Sequence, residues 1–313
     1  MSTTTRRYMR GVRGARGAKL KRELPLYFMV LPAMIIVLIY SYGPMVGLVI
    51  AFQKFVPTKG LFGSEWIGLD NFKVLFALPD TIQVVRNTIV ISLMKMFAGI
   101  VVPVTFALML NEVTQRGFKR LFQTMVYLPN FLSWIILSGI IIDILSPSDG
   151  IINRFITALG FQPIRFLSDA KIFPFTMVLT DVWKNFGFGT VVYLAALTSI
   201  DPALYEAAIV DGANRWKQTL HVTLPGIKGI VVLMTVLSMG SILNGGFDQI
   251  FNLYSPQVYS TGDILDTMIY RMGIVEMRYA MSTAMGFFKS VVSFLFVSLS
   301  YFLADRLAGY RVF

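Results

Sequence analysis

Residues 86–110 read RNTIVISLMKMFAGIVVPVTFALML, a run in which only Arg86 and Lys95 are charged. An α-helix rises about 1.5 Å per residue, so this run is longer than the roughly 30 Å hydrocarbon core of a bilayer. A segment inside lipid must satisfy its own backbone hydrogen bonds, which a helix does. The run therefore predicts a membrane-spanning helix.

Further apolar runs of similar length flank this one and bring the number of predicted spans to six. They occupy residues 26–51, 121–145, 172–197, 228–251 and 283–304. The composition agrees, because 55% of the 313 residues are hydrophobic and only 14% are charged. A typical soluble domain has roughly 25% charged residues, so this chain has too few to coat a soluble particle. We expect an all-α integral membrane protein with six transmembrane helices.

The distribution of basic residues predicts the orientation. Residues 6–22 carry eight Arg and Lys, and the net charge of the chain is +11. If this end is cytoplasmic and six helices alternate, the cytoplasmic segments hold 16 Lys and Arg and the outer loops hold eight. This bias places both termini in the cytoplasm. We divide the chain into a basic cytoplasmic tail (residues 1–24) and a transmembrane domain (residues 25–313).

Rare residue types exclude several kinds of chemistry. Cysteine is absent, which excludes disulfides, thiolate zinc sites and a cysteine nucleophile. His221 is the single histidine, so a multi-histidine metal site is not expected. No G-x-x-x-x-G-K-[ST] run is present, so the chain is not expected to bind or hydrolyse ATP. We expect no cofactor, no metal and no catalytic residue on this chain.

A predicted cytoplasmic loop carries the most specific pattern, DPALYEAAIVDGANRW at residues 201–216. Asp201 suits the N-cap of a helix and Pro202 its first position. Gly212 can take the left-handed conformation that ends a helix. We expect a second short helix over residues 213–221, stopped by Leu224-Pro225 before the next span. The small residues and the single carboxylate of the first helix suit close docking against another protein.

This loop resembles the EAA motif of permease subunits from ATP-binding-cassette (ABC) importers. The matching residues are Glu206-Ala207-Ala208, Gly212, Val222 and Leu224-Pro225, with Val222 where the family usually has Ile. Other segments are similar to the carbohydrate, or maltose-type, branch, and within it to the subgroup that includes alginate and pectin-fragment importers. These segments include LDNF at 69–72, YLP at 127–129 and GFDQIF at 246–251. The resemblance covers residues 24–313.

The resemblance implies a type I importer permease of the bacterial inner membrane that provides half of a saccharide pathway. Its implied partners are a second, normally non-identical permease, two ATPase subunits that bind ATP-Mg, and an extracytoplasmic solute-binding protein; nucleic acid is not among them. Residues 200–226, the coupling loop, would dock in a cleft of the ATPase. The implied coupling residues are Tyr205, Glu206, Ala207, Ala208, Asp211, Gly212, Leu224 and Pro225.

Polar residues inside the fourth and fifth spans are candidates for the substrate pathway, because ionisable groups at this depth require partners or water. The candidates are Asp181, Trp183, Lys184, Asn185, Asn244 and Asp248. In this interpretation Trp183 stacks on a sugar ring and Lys184 meets an acidic sugar. Asp181 and Asn185 bond hydroxyls. Alternatively, Asp181 and Lys184 pair on one helical face and serve only packing.

Other interpretations stay open at this point. Asn244-Gly245-Gly246 predicts a weakened or bent helix, or close helix packing. The remaining polar residues of the spans, Asn87, Lys95, Asp143 and Lys289, and also His221, are interpreted as structural. An ABC permease for another small solute is one alternative. An ion-coupled secondary transporter is another and would use Asp143, Asp181 and Asp248, but no inverted repeat supports it.

Overall fold

The computed structural model describes residues 23–240 and 242–308, which are almost entirely helical. The basic residues at positions 6–22 lie outside the described residues. The helices are α1 (Glu23–Phe52), α2 (Gly60–Gly63), α3 (Asp70–Ala77), α4 (Pro79–Glu112), α5 (Arg116–Tyr127), α6 (Trp134–Leu145), α7 (Ile151–Ala158), α8 (Phe173–Thr198), α9 (Pro202–Val210), α10 (Arg215–Gln218), α11 (Leu224–Met239), α12 (Phe247–Leu253), α13 (Tyr259–Gly262), α14 (Leu265–Tyr270) and α15 (Tyr279–Ala308). Two short antiparallel strands, β1 (Gln53–Lys54) and β2 (Glu65–Trp66), form a hairpin with Gln53 opposite Trp66.

Four of the described helices are long and apolar enough to cross a membrane alone: α1, α4, the continuous helix Arg215–Met239, and α15. Two further pairs qualify only together, because each is bent. Residues Arg116–Phe131 meet α6 at 107°, and α8 meets α9 at 68°. Counting each bent pair as one span gives six, as the apolar runs predict.

The third span differs from the predicted continuous helix over residues 121–145. Helix α5 ends in a 3-10 turn, Leu128–Phe131, that contains Pro129, and the chain then turns before α6. Proline lacks the N–H that a continuing helix needs, and Ser133 caps the new helix by accepting from the Ile136 N–H at 3.4 Å. Several carbonyl groups at this corner are thereby free to accept hydrogen bonds from elsewhere.

The fifth span also differs from its predicted course over residues 228–251. Its helix begins earlier, at Arg215, and ends at Met239, and α12 begins only at Phe247. Gly246 has a φ of +89°, which favours glycine, so the expected bend at this position is confirmed. The helical stop expected at Leu224-Pro225 was wrong. A π turn over Thr219–Thr223 lets the Leu224 N–H bond to the Thr219 carbonyl, and this accommodates the proline.

The core is formed mainly where α4 packs along α8. On the cytoplasmic side this contact continues into a cluster that also holds Ile227 of α11. The first helix behaves differently, because most of its apolar side chains, from Leu24 to Val49, are exposed. Its outer part, Gly43–Phe52, packs against α15 and α3, and there the Phe52 ring stacks on Trp66 at 5.6 Å. Thus α1 offers a long apolar surface that the rest of the described chain does not cover.

Candidate functional site

The coupling loop begins with a helix whose start is fixed by its own first residues. The Asp201 carboxylate accepts a hydrogen bond from the Ala203 N–H at 2.9 Å, and Pro202 occupies the first helical position. The predicted N-cap is confirmed. Because α9 leaves α8 at 68°, it does not continue the fourth span but lies across its cytoplasmic end.

The end of α9 depends on one glycine. Gly212 has a φ of +75°, in the left-handed region that glycine adopts without the steric cost of a Cβ. This conformation lets the Ala213 N–H bond to the Ala208 carbonyl at 2.9 Å, which closes the last turn. Asn214 then caps the next helix by accepting from the Lys217 N–H at 2.9 Å. The predicted turn at Gly212 is confirmed.

The outer surface of α9 is accessible. Val210 is 87% exposed, and Leu204 and Ile209 are also mostly exposed. Glu206 is exposed and forms no ion pair within residues 23–240 and 242–308. Exposed apolar side chains around an unpaired carboxylate form a surface that another protein can cover.

A polar chain ties α9 to the fifth span. The Tyr205 hydroxyl lies 3.0 Å from the Thr223 hydroxyl, which donates to the Gln218 carbonyl at 3.3 Å. The Gln218 amide donates in turn to the Ala213 carbonyl at 2.9 Å, behind the Gly212 turn. These hydrogen bonds join α9 to the beginning of the helix Arg215–Met239.

The last two residues of the motif lie apart from this surface. Leu224 packs against the cluster that contains Leu197 and Ile227, inside the bundle. Pro225 is exposed at the beginning of α11, above the π turn. Their position indicates that they shape the entrance of the fifth span into the bundle rather than the exposed face of α9.

The second candidate site lies in the middle of the membrane-spanning region, around Lys95 of α4. Its ammonium group donates to the Gly245 carbonyl at 2.9 Å and to Gln249 Oε1 at 2.5 Å. It also lies 3.8 Å from Asp181 Oδ1 of α8. The Lys95 side chain is only 10% exposed, so these three acceptors compensate a charge that is removed from water.

The network continues from Gln249 to α8. The Gln249 amide donates to the Met177 carbonyl at 2.8 Å and to the Thr180 hydroxyl at 2.7 Å. A Cβ placed on Gly246 would lie 2.7 Å from Lys95 Nζ and would displace this end of the lysine side chain, while the φ of +89° by itself favours glycine here. The Lys95 ammonium thus bonds the break in the fifth span to α4, and the Gln249 amide bonds it to α8.

Beside this network is a cavity of about 220 Å³, which we call the membrane cavity. At about 30 Å³ per molecule it has room for roughly seven waters. Asp181 and Asn244, both predicted from the sequence, lie in its wall. The other lining residues are Ser92, Lys95, Met96, Gly99, Ser238, Ile242 and Gly246. The Ser92 side chain contributes to this wall, but its hydroxyl oxygen is buried and has no hydrogen-bond partner among the described residues.

Sequence reasoning treated Lys95 as an isolated structural residue and missed its position in this site. The available signal was its depth, because an ionisable residue in the middle of a span marks a functional position by default. Ser92 lies one helical turn before Lys95 on the same face of α4, which is a weaker signal. Ser238 gave no signal, since it follows a long apolar run.

The alternative interpretation, an ion pair between Asp181 and Lys184, was wrong. Lys184 points away and donates to the Leu132 carbonyl at 2.6 Å and the Asn130 carbonyl at 3.0 Å. These carbonyls are free because the third span breaks at this corner, and together they accept the hydrogen bonds of the ammonium. Asn185 also faces the corner and accepts from the Asn130 amide at 3.1 Å.

The remaining predicted pathway residues lie outside the membrane cavity. Trp183 lines a separate apolar groove of about 750 Å³ between α4, α6 and α8. Asp248 is exposed on α12. Asn87 and Lys289 serve packing as expected, with Asn87 donating to the Asp263 carbonyl and Lys289 pairing with Asp266 at 2.5 Å. No group of three potential metal ligands occurs in the described part of the chain.

The family whose sequences match residues 99–309 is described as the binding-protein-dependent transport system inner membrane component. The chain belongs to this family and is the permease subunit of an ABC importer in the inner membrane, a transport component rather than an enzyme. The resemblance in the EAA loop is confirmed, and the ion-coupled secondary transporter is set aside.

Individual relatives are similar over nearly their whole length. Protein LplB of Bacillus subtilis (strain 168) is 39% identical over 289 residues, covering 92% of this chain and 91% of LplB. The polygalacturonan/rhamnogalacturonan transport system permease protein YteP of the same organism is 38% identical over 288 residues, covering 92% and 90%. A crystal structure of a bacterial alginate ABC transporter, in complex with alginate pentasaccharide-bound periplasmic protein, contains a chain that superposes with a TM-score of 0.86 at 38% identity, covering 94% of this chain and 99% of that one.

Proposed function

We propose that this chain forms half of a translocation pathway for an oligosaccharide or polysaccharide fragment, and that the membrane cavity holds a sugar unit during passage. The observation that carries the proposal is the wall of the cavity, where Asp181 and Asn244 present hydroxyl-binding groups at the break of the fifth span. The saccharide class is supported by the substrates of YteP and of the alginate transporter. Another small solute would be the substrate if no saccharide is transported.

The exposed face of α9 is the proposed contact with the ATPase subunits, which bind ATP-Mg. Glu206 pairs there with a basic group, and Ala207 and Ala208 allow close approach. Tyr205 links this surface to the fifth span through Thr223. The Gly212 turn and Asp211, whose N–H bonds to the Ala207 carbonyl, hold the end of α9 in place.

The remaining proposed partners are a second, non-identical permease and an extracytoplasmic solute-binding protein. The exposed apolar side chains of α1 support a second membrane subunit, because the described chain leaves them uncovered. The alginate transporter was crystallised in complex with a periplasmic protein that carries an alginate pentasaccharide, which supports a solute-binding protein here.

One long helix connects the exposed face of α9 with the membrane cavity. The helix Arg215–Met239 contacts α9 through Thr223. It ends just before Asn244 and Gly246 of the cavity wall. A helix of 25 residues is about 37 Å long, enough to carry a tilt from the cytoplasmic face to the cavity. When the ATPases close and displace α9, this helix tilts and changes the wall of the membrane cavity.

A mild-detergent purification of the chain from its native membrane tests the assembly. We expect an ATPase subunit and a second permease to remain bound. Reconstituted with the solute-binding protein, the complex should take up labelled oligosaccharide only with internal ATP. A chain that purifies alone, even after crosslinking through residues 201–216, would contradict the proposal.

Glu206→Lys tests the docking surface within that complex. Charge reversal at an exposed interface position leaves membrane insertion intact, so we expect uptake and substrate-stimulated ATP hydrolysis to become uncoupled. Glu65→Lys, the same change on the exposed β2 strand at the other face, is the matched control and should be nearly silent. Normal uptake by a correctly assembled Glu206→Lys variant would rule out the proposed role of Glu206.

A further inference from the structure

The segment that follows the membrane cavity carries a chain of aromatic rings. Phe247 contacts Phe251 at a centroid distance of 5.1 Å, and Phe251 contacts Tyr254 at 6.3 Å. Tyr254 stacks on Tyr259 at 5.1 Å, and Tyr270 packs edge-on against Phe251 at 4.8 Å. We call these five rings the aromatic ladder. Its first ring is adjacent in sequence to Gly246, which lines the membrane cavity.

Four of the five ladder rings are half-buried, and Tyr254 packs against a buried core cluster, whereas Phe251 is the exposed ring. On α12 the aliphatic residues Ile250 and Leu253 are buried, whereas Phe251 is 37% exposed and Phe247 is half-buried. A helix that needed its aromatic rings for packing would bury them first, because they are its largest apolar side chains. Here the aliphatic face of α12 is buried, and the aromatic face is partly accessible, most of all at Phe251.

The accessible face is also unsuited to lipid. Asp248 is exposed beside Phe251 on the same short helix, and the neighbouring Asn252 donates its amide to the Asp248 carbonyl. A carboxylate facing hydrocarbon is costly, so this face borders water or a polar ligand. Rings alternating with a carboxylate and an amide form the lining expected for a ligand with apolar faces and polar edges.

The charges around the ladder restrict that ligand further. At the outer end Arg271 lies over the Tyr259 ring at 4.7 Å, but it is engaged with Asp263 at 2.6 Å. Arg278 lies 3.5 Å from Glu276. Because these arginines are paired with carboxylates and Asp248 has no ion-pair partner in the described residues, the unpaired charge beside the rings is negative. An anionic sugar is therefore disfavoured here relative to an uncharged one.

We propose that the aromatic ladder is a saccharide-binding surface, in which uncharged pyranose units stack on the rings and bond Asp248 through their hydroxyls on the way to the membrane cavity. This inference rests on the proposed function and adds a second contact site to it. Burial and the neighbouring Tyr259 raise the pKa of Tyr254 to about 12.

Phe251→Trp places a reporter on the ladder while keeping an aromatic ring. The complete importer in nanodiscs is titrated with maltopentaose, an uncharged probe, and with pentagalacturonate, an acidic probe of the same length. We expect a saturable fluorescence change with maltopentaose, after subtraction of the wild-type signal, and a several-fold higher Kd for pentagalacturonate. Asp248→Asn should remove most of this difference. Phe294→Trp, at a 70% exposed position on α15, is the control and should not respond.

Tyr254→Trp is the second reporter and covers the case in which Phe251→Trp fails to assemble. No response at either position to about 10 mM of either probe, a concentration above the Kd of even a weak contact, would overturn the proposal. Tighter binding of pentagalacturonate than of maltopentaose would overturn the assigned sugar class.

ATP-driven uptake of a panel of oligosaccharides by the wild-type importer is measured in parallel. A responsive ladder in an importer that transports no saccharide would contradict the proposed function alone. An active saccharide importer with silent reporters would contradict the ladder alone. In an active importer, Phe251→Leu should raise the half-saturating oligosaccharide concentration by roughly two- to tenfold, the size of one aromatic contact.

Discussion

The coupling loop is held together by neighbours in sequence, whereas the membrane cavity is held together by residues far apart. Asp201 bonds two residues onward and the Gly212 turn closes within five. Lys95, by contrast, bonds Gly245 from 150 positions away. The turns of the loop therefore depend mainly on local contacts, and Arg215 adds a distant one, an exposed pair with Glu112 at 3.4 Å. The cavity exists only while three spans keep their relative positions, so it is the part that a tilt of one helix changes.

Of the changes that test this difference, removal of the charge at Lys95 should have the largest effect on stability and uptake. Lys95→Met leaves Asp181 without its cation and Gln249 Oε1 without its donor, and breaking a buried pair costs about 3–5 kcal/mol. We expect a lower melting temperature in detergent and loss of most uptake. The double variant Lys95→Met/Asp181→Asn should recover part of the stability. Lys73→Met, which removes an exposed pair with Asp70, is the control and should change little.

The comparison predicts that damage to the coupling loop stays local. Gly212→Val forces a β-branched residue into the left-handed region at a φ of +75°, a cost of order 1–3 kcal/mol. We expect uptake to fall at least about tenfold while the melting temperature of the transmembrane bundle stays unchanged. Gly117→Val, at an open helical position, is the control. A large loss of bundle stability in Gly212→Val would contradict the view of the loop as a separate unit.

These two regions also show what could be predicted from the sequence. The Asp201 cap and the Gly212 turn were predictable because every partner lies within a few residues. The six apolar runs predicted the number of spans for the same reason, since each helix satisfies its own backbone. Lys184 was misjudged because spacing on one helix suggested Asp181 as its partner. Its actual partners are carbonyls released by a break around Pro129 in another span.

The same limit applies to the cavity as a whole. The glycines at 245 and 246 indicated a bend, and the polar residues near it indicated a pathway. No pattern in the sequence indicated that Lys95 of α4 would fasten that bend, because the contact depends on how α4 and α8 pack. Contacts between neighbours in sequence can be predicted from the sequence. A site formed by three helices can be predicted only when the packing of those helices is known.

Gly246→Ala tests whether the hydrogen bonds of Lys95 depend on the close approach of the backbone at Gly246. The new Cβ would lie 2.7 Å from Lys95 Nζ at a residue with a φ of +89°. We expect a loss of about 1–3 kcal/mol and a several-fold fall in uptake. Gly160→Ala separates the two causes, because Gly160 has a φ of +87° with open space around it. If both variants lose the same stability, backbone strain explains the effect and the Lys95 contact adds nothing.

Tyr205→Phe should have the smallest effect and tests the link between the two regions. The change removes the hydroxyl that lies 3.0 Å from the Thr223 hydroxyl, a hydrogen bond worth about 0.5–1.5 kcal/mol. Because the ring remains, α9 should keep its fold and still dock. The expected result is a two- to fourfold lower ratio of sugar transported to ATP hydrolysed, with ATP hydrolysis itself unchanged. Tyr301→Phe, at an exposed position on α15, should leave that ratio unchanged. An unchanged ratio in Tyr205→Phe would mean that displacement of α9 reaches the cavity through the packing of Leu224 and Ile227 instead of through Thr223.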